Sequence, residues 1–134
     1  MTEPPVPHVG AVPVLFPEIV WQEEVGRFRP RSLRRSQAER ARREIETGVV
    51  GLKWRRCQPH GPERTELPGC RKLYVPLDAS GPSDAPWGFI FRLTQMPDLS
   101  LAWMMIAFGD RHPERRTRSV YDRAHRRLHG RYPN

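Results

Sequence analysis

The chain contains little cysteine, almost no lysine and no long apolar run, and these shortages exclude several classes of protein. Two cysteines in 134 residues, Cys57 and Cys70, are too few for a disulfide framework, so we expect reduced thiols and a cytoplasmic protein. No stretch approaches the roughly 18 consecutive apolar residues of a membrane-spanning helix. Residues 1–10 also lack the basic segment and apolar run of a secretory signal.

Sequence signatures of metal and cofactor sites are missing as well. The cysteines form no CxxC pair, and the five histidines form no ligand set with a carboxylate. There is no Walker loop, no GxGxxG after a predicted strand and no GxSxG elbow. The sequence therefore predicts no bound metal and no cofactor. Signatures of a zinc finger, a homeodomain or an RNA-recognition motif are also missing.

Arginine is abundant: 21 arginines accompany only two lysines, Lys53 and Lys72, and the net charge is +8. Residues 31–58 and 111–134 each sum to +6, whereas residues 1–30 and 59–110 each sum to −2. A guanidinium pairs bidentately with phosphate oxygens, so the two basic blocks indicate binding to nucleic acid or another polyanion. The alternative is a pair of solvated helices in an arginine-rich proteome. The arginines expected to contact RNA are Arg35, Arg42, Arg43, Arg71, Arg92, Arg115, Arg116 and Arg118.

The sequence predicts one domain between two tails. Residues 1–16 form a proline-rich tail with a possible edge strand at 12–16, residues 17–130 form the domain, and residues 131–134 form a C-terminal tail. A chain of 134 residues has the size of a single domain, and its 37% of hydrophobic residues allow a core of modest size.

Two helices are predicted at the start of this domain and one at its end. Pro17 suits the first position of a short helix. Ser36 opens a capping-box pattern that predicts a helix over 36–48, which Gly48 would end. Apolar residues at helical spacing predict the last helix over 117–129.

Three β-like runs lie between these helices, over 70–76, 87–95 and 101–109. Their connections are rich in Gly, Pro, Asp and Ser, as in hairpins, so the strands are expected to be antiparallel, with the apolar third strand near the centre. The predicted fold class is α+β: N-terminal helices, an antiparallel sheet of three or four strands and a C-terminal helix.

Four residues with useful chemistry are expected to meet at one edge of this sheet. In an antiparallel meander the start of one strand and the end of the strand after next can lie on the same edge. Lys72 lies at the start of the first predicted strand, and Arg111 and His112 follow the third. Tyr121 lies at the start of the last helix, where it can also reach this edge. The alternative is that the cations are surface residues and that the Tyr121 ring packs under the sheet.

Three motifs in the C-terminal half occur in an ordered series. They are a strand opening, LPGCRKL, at 67–73, an apolar strand that ends in FGDR at 108–111, and a helix start, SVYDRAHRRL, at 119–128. In this order and spacing they resemble the RelE/ParE toxin superfamily of bacterial type II toxin–antitoxin systems. The resemblance implies a microbial-ribonuclease-like fold. For RelE-like members it also implies metal-independent cleavage of mRNA in the ribosomal A site.

The resemblance also implies roles in the attack of a ribose 2′-OH on the adjacent phosphate, which gives a 2′,3′-cyclic phosphate. Arg111 would stabilise phosphate charge, Lys72 would do the same or assist proton transfer, and Tyr121 would stack on a base or handle a proton. His112 is a further candidate acid or base, because imidazole titrates near neutral pH. RelE-like members usually carry an arginine near the start of the second strand, a place that falls near Gly88 here.

Functions from different classes remain open from the sequence. The leading one is a RelE-like toxin, an endoribonuclease whose partners are mRNA, the ribosome and a cognate antitoxin, with no membrane. The alternative is a non-catalytic binding module of the same fold, either a ParE-like gyrase inhibitor or a protein that binds nucleic acid or a partner. A DNA-binding regulator has less support, because the chain shows no recognition-helix motif.

Overall fold

A mixed sheet of five strands forms the centre of the fold. The structure, a computed structural model, describes residues 12–48, 52–57, 67, 69–115 and 119–130. In chain order its elements are β1 (Val14–Leu15), α1 (Glu18–Glu24), α2 (Leu33–Thr47), β2 (Arg55–Arg56), β3 (Cys70–Val75), β4 (Trp87–Gln95), β5 (Leu101–Asp110) and α3 (Val120–Leu128). The fold class is therefore α+β, as predicted. No helix in the described ranges is long and apolar enough to cross a membrane.

The three longest strands form the antiparallel meander that the sequence predicts. β3 pairs with β4 and β4 with β5, and their bounds differ from the predicted ones by at most one residue. The strand order is β1-β5-β4-β3-β2, so β4 is the central strand. The more apolar β5, expected near the centre, lies second from the edge, between β1 and β4.

Two short strands make the sheet larger than the predicted three or four antiparallel strands. β1 lies parallel to β5, with Val14 opposite Trp103, so the prediction of an all-antiparallel sheet is wrong at this edge. The Trp103 N–H donates to the Pro13 carbonyl at 2.8 Å. From β1 the chain enters α1 and α2, and a long connection of this kind permits parallel pairing. β2 pairs antiparallel with β3 through Arg55 and Arg56, and two residues are too few to show a strand pattern.

The start of α2 also differs from the prediction. The helix begins at Leu33, and the Ser32 side chain caps it by accepting a hydrogen bond from the Arg35 N–H at 3.3 Å. Ser36 lies inside the helix, so the predicted capping box there is wrong. Both serines precede the apolar residues of this helix. Ser32 comes earlier in the chain, and its side chain caps the free backbone N–H groups of the first turn. Gly48 ends the helix with a left-handed backbone conformation (φ 67°), as predicted.

Different helices cover the two faces of the sheet. Along β4, Phe89 and Phe91 point to the side on which α1 and α2 pack, which we call the α1–α2 face. Ile90 points to the other side and packs with Val120 and Tyr121 of α3; we call this the α3 face. The two predicted helices with arginine-rich surfaces, α2 and α3, therefore lie on opposite sides of the sheet.

A buried carboxylate joins α1, β5 and α3. Glu24 is fully buried and accepts hydrogen bonds from the Phe108 N–H at 3.1 Å, from Arg123 Nη2 at 2.7 Å and from Arg127 Nη2 at 3.1 Å. Arg127 also donates from Nε to the Ile106 carbonyl at 2.7 Å. These side chains thus bind backbone groups of β5 in the part of the strand beyond its pairing with β1.

Candidate functional site

The structure brings together the four residues that the sequence singled out. Lys72 lies on β3, Arg111 and His112 directly follow β5, and Tyr121 lies in the first turn of α3. Lys72 Nζ is 5.2 Å from the centre of the Tyr121 ring, and Arg111 Nε is 3.1 Å from Tyr121 Oη. The centres of the His112 and Tyr121 rings are 6.4 Å apart. A single patch on the α3 face therefore contains all four side chains.

The start of α3 fixes the position of Tyr121. Ser119 caps the helix by accepting a hydrogen bond from the Asp122 N–H at 3.1 Å. Val120 and Ala124 are fully buried against the sheet, which orients this short helix. Tyr121 is buried between them, so its ring packs on the sheet while its hydroxyl reaches Arg111.

The guanidinium of Arg111 is bound almost completely within the protein. Its Nη1 donates to the carbonyls of Pro82 and Ala85 at 2.8 and 2.9 Å, and its Nη2 donates to the Tyr74 hydroxyl at 3.3 Å. With the bond to Tyr121, four of its five N–H groups have protein acceptors. Arg111 therefore orients two tyrosine hydroxyls and has little donor capacity left for a ligand.

Gly88 on β4 provides the space in which the Arg111 side chain lies. A Cβ atom at Gly88 would be 3.6 Å from Cγ and 3.7 Å from Cδ of Arg111. The arginine stem is therefore in van der Waals contact above the glycine, and a long side chain at this position would displace it. The space above Gly88 is therefore filled by the stem of Arg111.

Lys72 is a nearly buried cation, with 8% of its surface exposed. Within the described ranges no ion pair and no hydrogen bond reaches its Nζ, which is near two aromatic rings, 5.2 Å from Tyr121 and 5.6 Å from Tyr74. Removing an ammonium from water without a counter-ion is costly, so a bound anion would stabilise this residue.

Two further residues of this group, Tyr74 and Arg55, were not among the predicted site residues. The Tyr74 ring lies between two guanidinium groups, with Arg55 Cζ 4.5 Å and Arg111 Cζ 4.1 Å from its centre. Arg55 lies opposite Lys72 across β2 and β3, and its Nε is buried with no hydrogen-bond partner in the described part of the chain. The alternation of a strand places Tyr74 on the same face as Lys72, so the sequence offered a signal for Tyr74. It offered none for Arg55.

His112 lies at the exposed edge of this group. Partial desolvation lowers its pKa below the ordinary value, and the positive charges of Arg111 and Lys72 lower the pKa further. The imidazole is therefore neutral at pH 7 and has a nitrogen that can accept a proton.

The patch carries positive charge that no acidic side chain among the described residues pairs with. Arg55, Lys72 and Arg111 form no ion pair with a carboxylate anywhere in the described residues, although eight such pairs occur elsewhere in the same ranges. Two phenol hydroxyls and a neutral imidazole add donors and an acceptor. We name this group of Arg55, Lys72, Tyr74, Arg111, His112 and Tyr121 the cationic patch; its chemistry suits an anion such as a phosphodiester.

The predicted RNA-binding arginines of α2 lie far from this patch, on the other side of the sheet. Arg35 pairs with Glu39 at 3.4 Å, and Arg42 pairs with Glu46 at 3.3 Å. The Arg42 guanidinium also lies over the rings of Phe16 and Trp21, where it covers the core. Arg43 is the exposed member of the three.

The other predicted arginines are scattered. Arg71 is on the α1–α2 face with its guanidinium 5.9 Å from the centre of the Trp103 ring, because neighbours in a strand point to opposite sides. Arg92 is on the α3 face, opposite Cys70 and exposed, further along the sheet than Lys72. Arg115 lines a cleft of about 360 Å³ together with Arg27, Arg34 and Asp110. Arg116 and Arg118 lie outside the described residues.

No group of three or more His, Cys, Asp or Glu side chains in the described ranges is placed to hold a metal ion. Comparisons of the chain with protein-family models, with curated proteins and with solved structures found no match. The chemistry of the cationic patch is therefore the basis on which a function can be proposed.

Proposed function

We propose that this protein is a RelE-like, metal-independent endoribonuclease that cleaves mRNA on the ribosome and is neutralised by an antitoxin in the cytoplasm. The observation that carries the proposal is the cationic patch itself: three cations without a paired carboxylate in the described ranges, next to a neutral imidazole. The antiparallel meander with a C-terminal helix packed across it supports a RelE-like arrangement of the fold.

The reaction would be an attack by a ribose 2′-OH on the neighbouring phosphorus. His112, neutral at pH 7, accepts the 2′-OH proton while the 2′-oxygen–phosphorus bond forms. Lys72 Nζ donates to a non-bridging oxygen and stabilises the charge of the phosphorane. The Tyr121 hydroxyl, polarised by Arg111 Nε, gives a proton to the leaving 5′-oxygen as its bond to phosphorus breaks. The products are a 2′,3′-cyclic phosphate and a 5′-hydroxyl.

In this proposal Arg111 acts mainly by holding Tyr74 and Tyr121. The resemblance alone implied that it binds phosphate directly, but four of its N–H groups already have protein acceptors. Arg55 is better placed for direct contact, since its side chain is only half-buried and lies beside Lys72 in the sheet. Arg92, on the same face, would contact the RNA backbone outside the patch.

A second candidate, a non-catalytic binding module of the same fold, is favoured by one observation. Gly88 replaces the usual strand arginine, and Arg111 is committed to protein acceptors, so the patch has fewer free donors than a phosphate-cleaving site would use. Such a module would need only a surface complementary to gyrase, nucleic acid or another partner.

The deciding experiment is primer extension on ribosomes programmed with mRNA. We expect cuts by the wild-type protein, 3′ ends that carry a cyclic phosphate, and loss of the cuts in Lys72→Ala. Arg43→Ala, an exposed arginine on the opposite face, is the matched control and should cut like the wild type. If the wild type makes no cuts but blocks DNA supercoiling by gyrase, the binding module replaces the ribonuclease. Inactivity in both assays would remove both candidates.

A further inference from the structure

Cys57, directly after β2, and Cys70, the first residue of β3, have no part in the proposed function. β2 and β3 are antiparallel, with Arg55 opposite Lys72 and Arg56 opposite Arg71. Extending this register by one residue beyond β2 brings Cys57 opposite Cys70. Both side chains pack in the same cluster beneath α3, so both thiols are on the α3 face.

This arrangement satisfies the distance that a disulfide needs. Residues directly opposite each other in antiparallel strands have Cα atoms about 4.5–5.5 Å apart, and disulfides join Cα atoms about 4.4–6.8 Å apart. Both cysteines are reduced in the structure, with Cys70 buried and Cys57 half-buried. Cys57 is therefore the thiol that a small oxidant reaches first.

We propose that Cys57 and Cys70 form a reversible disulfide that fastens β2 to β3 beside the cationic patch. The oxidant is a low-molecular-weight disulfide such as oxidised glutathione. The Cys57 thiol loses its proton and attacks one glutathione sulfur, which forms a mixed disulfide and releases one glutathione thiol. The Cys70 thiol loses its proton in turn and attacks the Cys57 sulfur, which forms the protein disulfide and releases the second glutathione thiol.

The disulfide would form slowly and would then hold β2 against β3. Burial raises the pKa of Cys57 to about 11 and that of Cys70 to about 12, so few thiolates are present at pH 7. β2 is attached to the sheet through only Arg55 and Arg56. A cross-link one residue further on would keep Arg55 in place against Tyr74.

The test is equilibration of the folded full chain with mixtures of reduced and oxidised glutathione, followed by acid quenching and mass spectrometry. We expect a loss of about 2 Da, a linked pair of peptides containing Cys57 and Cys70, and full reversal by dithiothreitol. The same titration in urea should give an effective thiol concentration at least about tenfold lower, because only the fold holds the thiols together.

Cys57→Ser, at the half-buried position, is the matched control and should form no cross-link while remaining folded. A persistent glutathione adduct on Cys57, an absence of any cross-link, or equal effective concentrations in the folded and unfolded chains would each overturn the proposal. The readout is covalent and does not involve RNA, so its failure leaves the proposed ribonuclease function intact, and the reverse also holds.

Discussion

Arg111 donates a hydrogen bond from Nε to the hydroxyl of Tyr121 at 3.1 Å and so ties the end of β5 to the first turn of α3. The other nitrogens of this guanidinium bind two backbone carbonyls and a second tyrosine hydroxyl. One buried side chain thus fixes two phenols next to Lys72. The geometry of the cationic patch therefore depends on the guanidinium fork as well as on its charge.

Replacing Arg111 should separate the effect of its shape from that of its charge. Arg111→Lys keeps the charge but loses the fork, so we expect cleavage to fall about 10²–10³-fold, nearly as far as in Arg111→Ala. Loss of the bonds to Pro82 and Ala85 should also cost roughly 1–3 kcal/mol for each carbonyl left unpaired. Cleavage rates and urea unfolding measure the two effects. Full activity in Arg111→Lys would show that only the charge matters.

Tyr121→Phe removes the hydroxyl and keeps the buried ring. If the phenol passes a proton to the leaving oxygen, this variant should lose about as much cleavage activity as Tyr121→Ala, roughly 10²-fold or more. Tyr74→Phe is the control, because Tyr74 binds the same guanidinium but has no assigned proton transfer. A Tyr121→Phe enzyme that retains most of the wild-type rate would limit Tyr121 to packing or stacking.

Binding of RNA should be sensitive to Lys72 and insensitive to α2. Lys72→Ala should weaken binding about tenfold or more, since a hydrogen bond to a charged group is worth roughly 1.5–3 kcal/mol, and should lower the salt slope by about 1. Arg43→Glu, on the opposite face, should change affinity much less. Fluorescence anisotropy over a series of salt concentrations gives both numbers. A stronger effect at Arg43 would place the RNA on α2, as the charge blocks alone suggested.

The pH profile should report the protonation of His112. Its pKa lies below the ordinary 6.5, and the base form is the active one in the proposed mechanism, so cleavage should rise with pH through a midpoint under 6.5. His112→Ala should abolish this acidic limb and lower the rate at pH 7. His129, exposed on α3, supplies the control variant His129→Ala, whose profile should match the wild type. An unchanged limb in His112→Ala would assign the proton transfer to another group.

Replacing the fully buried Glu24 should lower the free energy of unfolding more than replacing the partly exposed Glu23. Glu24→Ala removes the buried carboxylate that Arg123 and Arg127 share, and breaking a buried pair of this kind typically costs about 3–5 kcal/mol. Glu23→Ala removes a partly exposed partner of Arg127 and should cost no more than about 1 kcal/mol. Urea denaturation of both variants provides the comparison. Equal losses would mean that the buried ion pairs add nothing beyond a surface pair.

The sequence was most informative where a regular pattern met clear turn chemistry. The strands of the meander alternate or run apolar between loops rich in Gly, Pro and Asp, so their bounds were predicted closely. β1 lies within the possible edge strand predicted at 12–16, but its parallel pairing with β5 is decided by contacts distant in sequence, and β2 has only two residues, too few for a strand pattern. The parallel pairing of β1 and the place of Arg55 in the cationic patch could therefore not be predicted from the sequence.

Net charge alone does not show which arginines are available to bind phosphate. On α2 the pairs Arg35–Glu39, Arg40–Glu44 and Arg42–Glu46 are spaced by four residues and form ion pairs within the helix. This spacing is visible in the sequence and favours solvated helix pairs over phosphate contacts. For Arg111, by contrast, its proximity to Tyr121 was predicted, but nothing in the sequence indicated that its N–H groups would donate to backbone carbonyls.

The charged side chains along β5 also affect whether another chain can pair with this edge of the sheet. Glu24 binds the Phe108 N–H, Arg27 binds the Phe108 carbonyl at 2.9 Å, and Arg127 binds the Ile106 carbonyl. An open strand edge is a template for edge-to-edge aggregation and for added peptide strands. Here an added strand would have to displace the side chains of Glu24, Arg27 and Arg127 from the β5 backbone. This part of the edge therefore resists both edge-to-edge aggregation and the addition of a peptide strand.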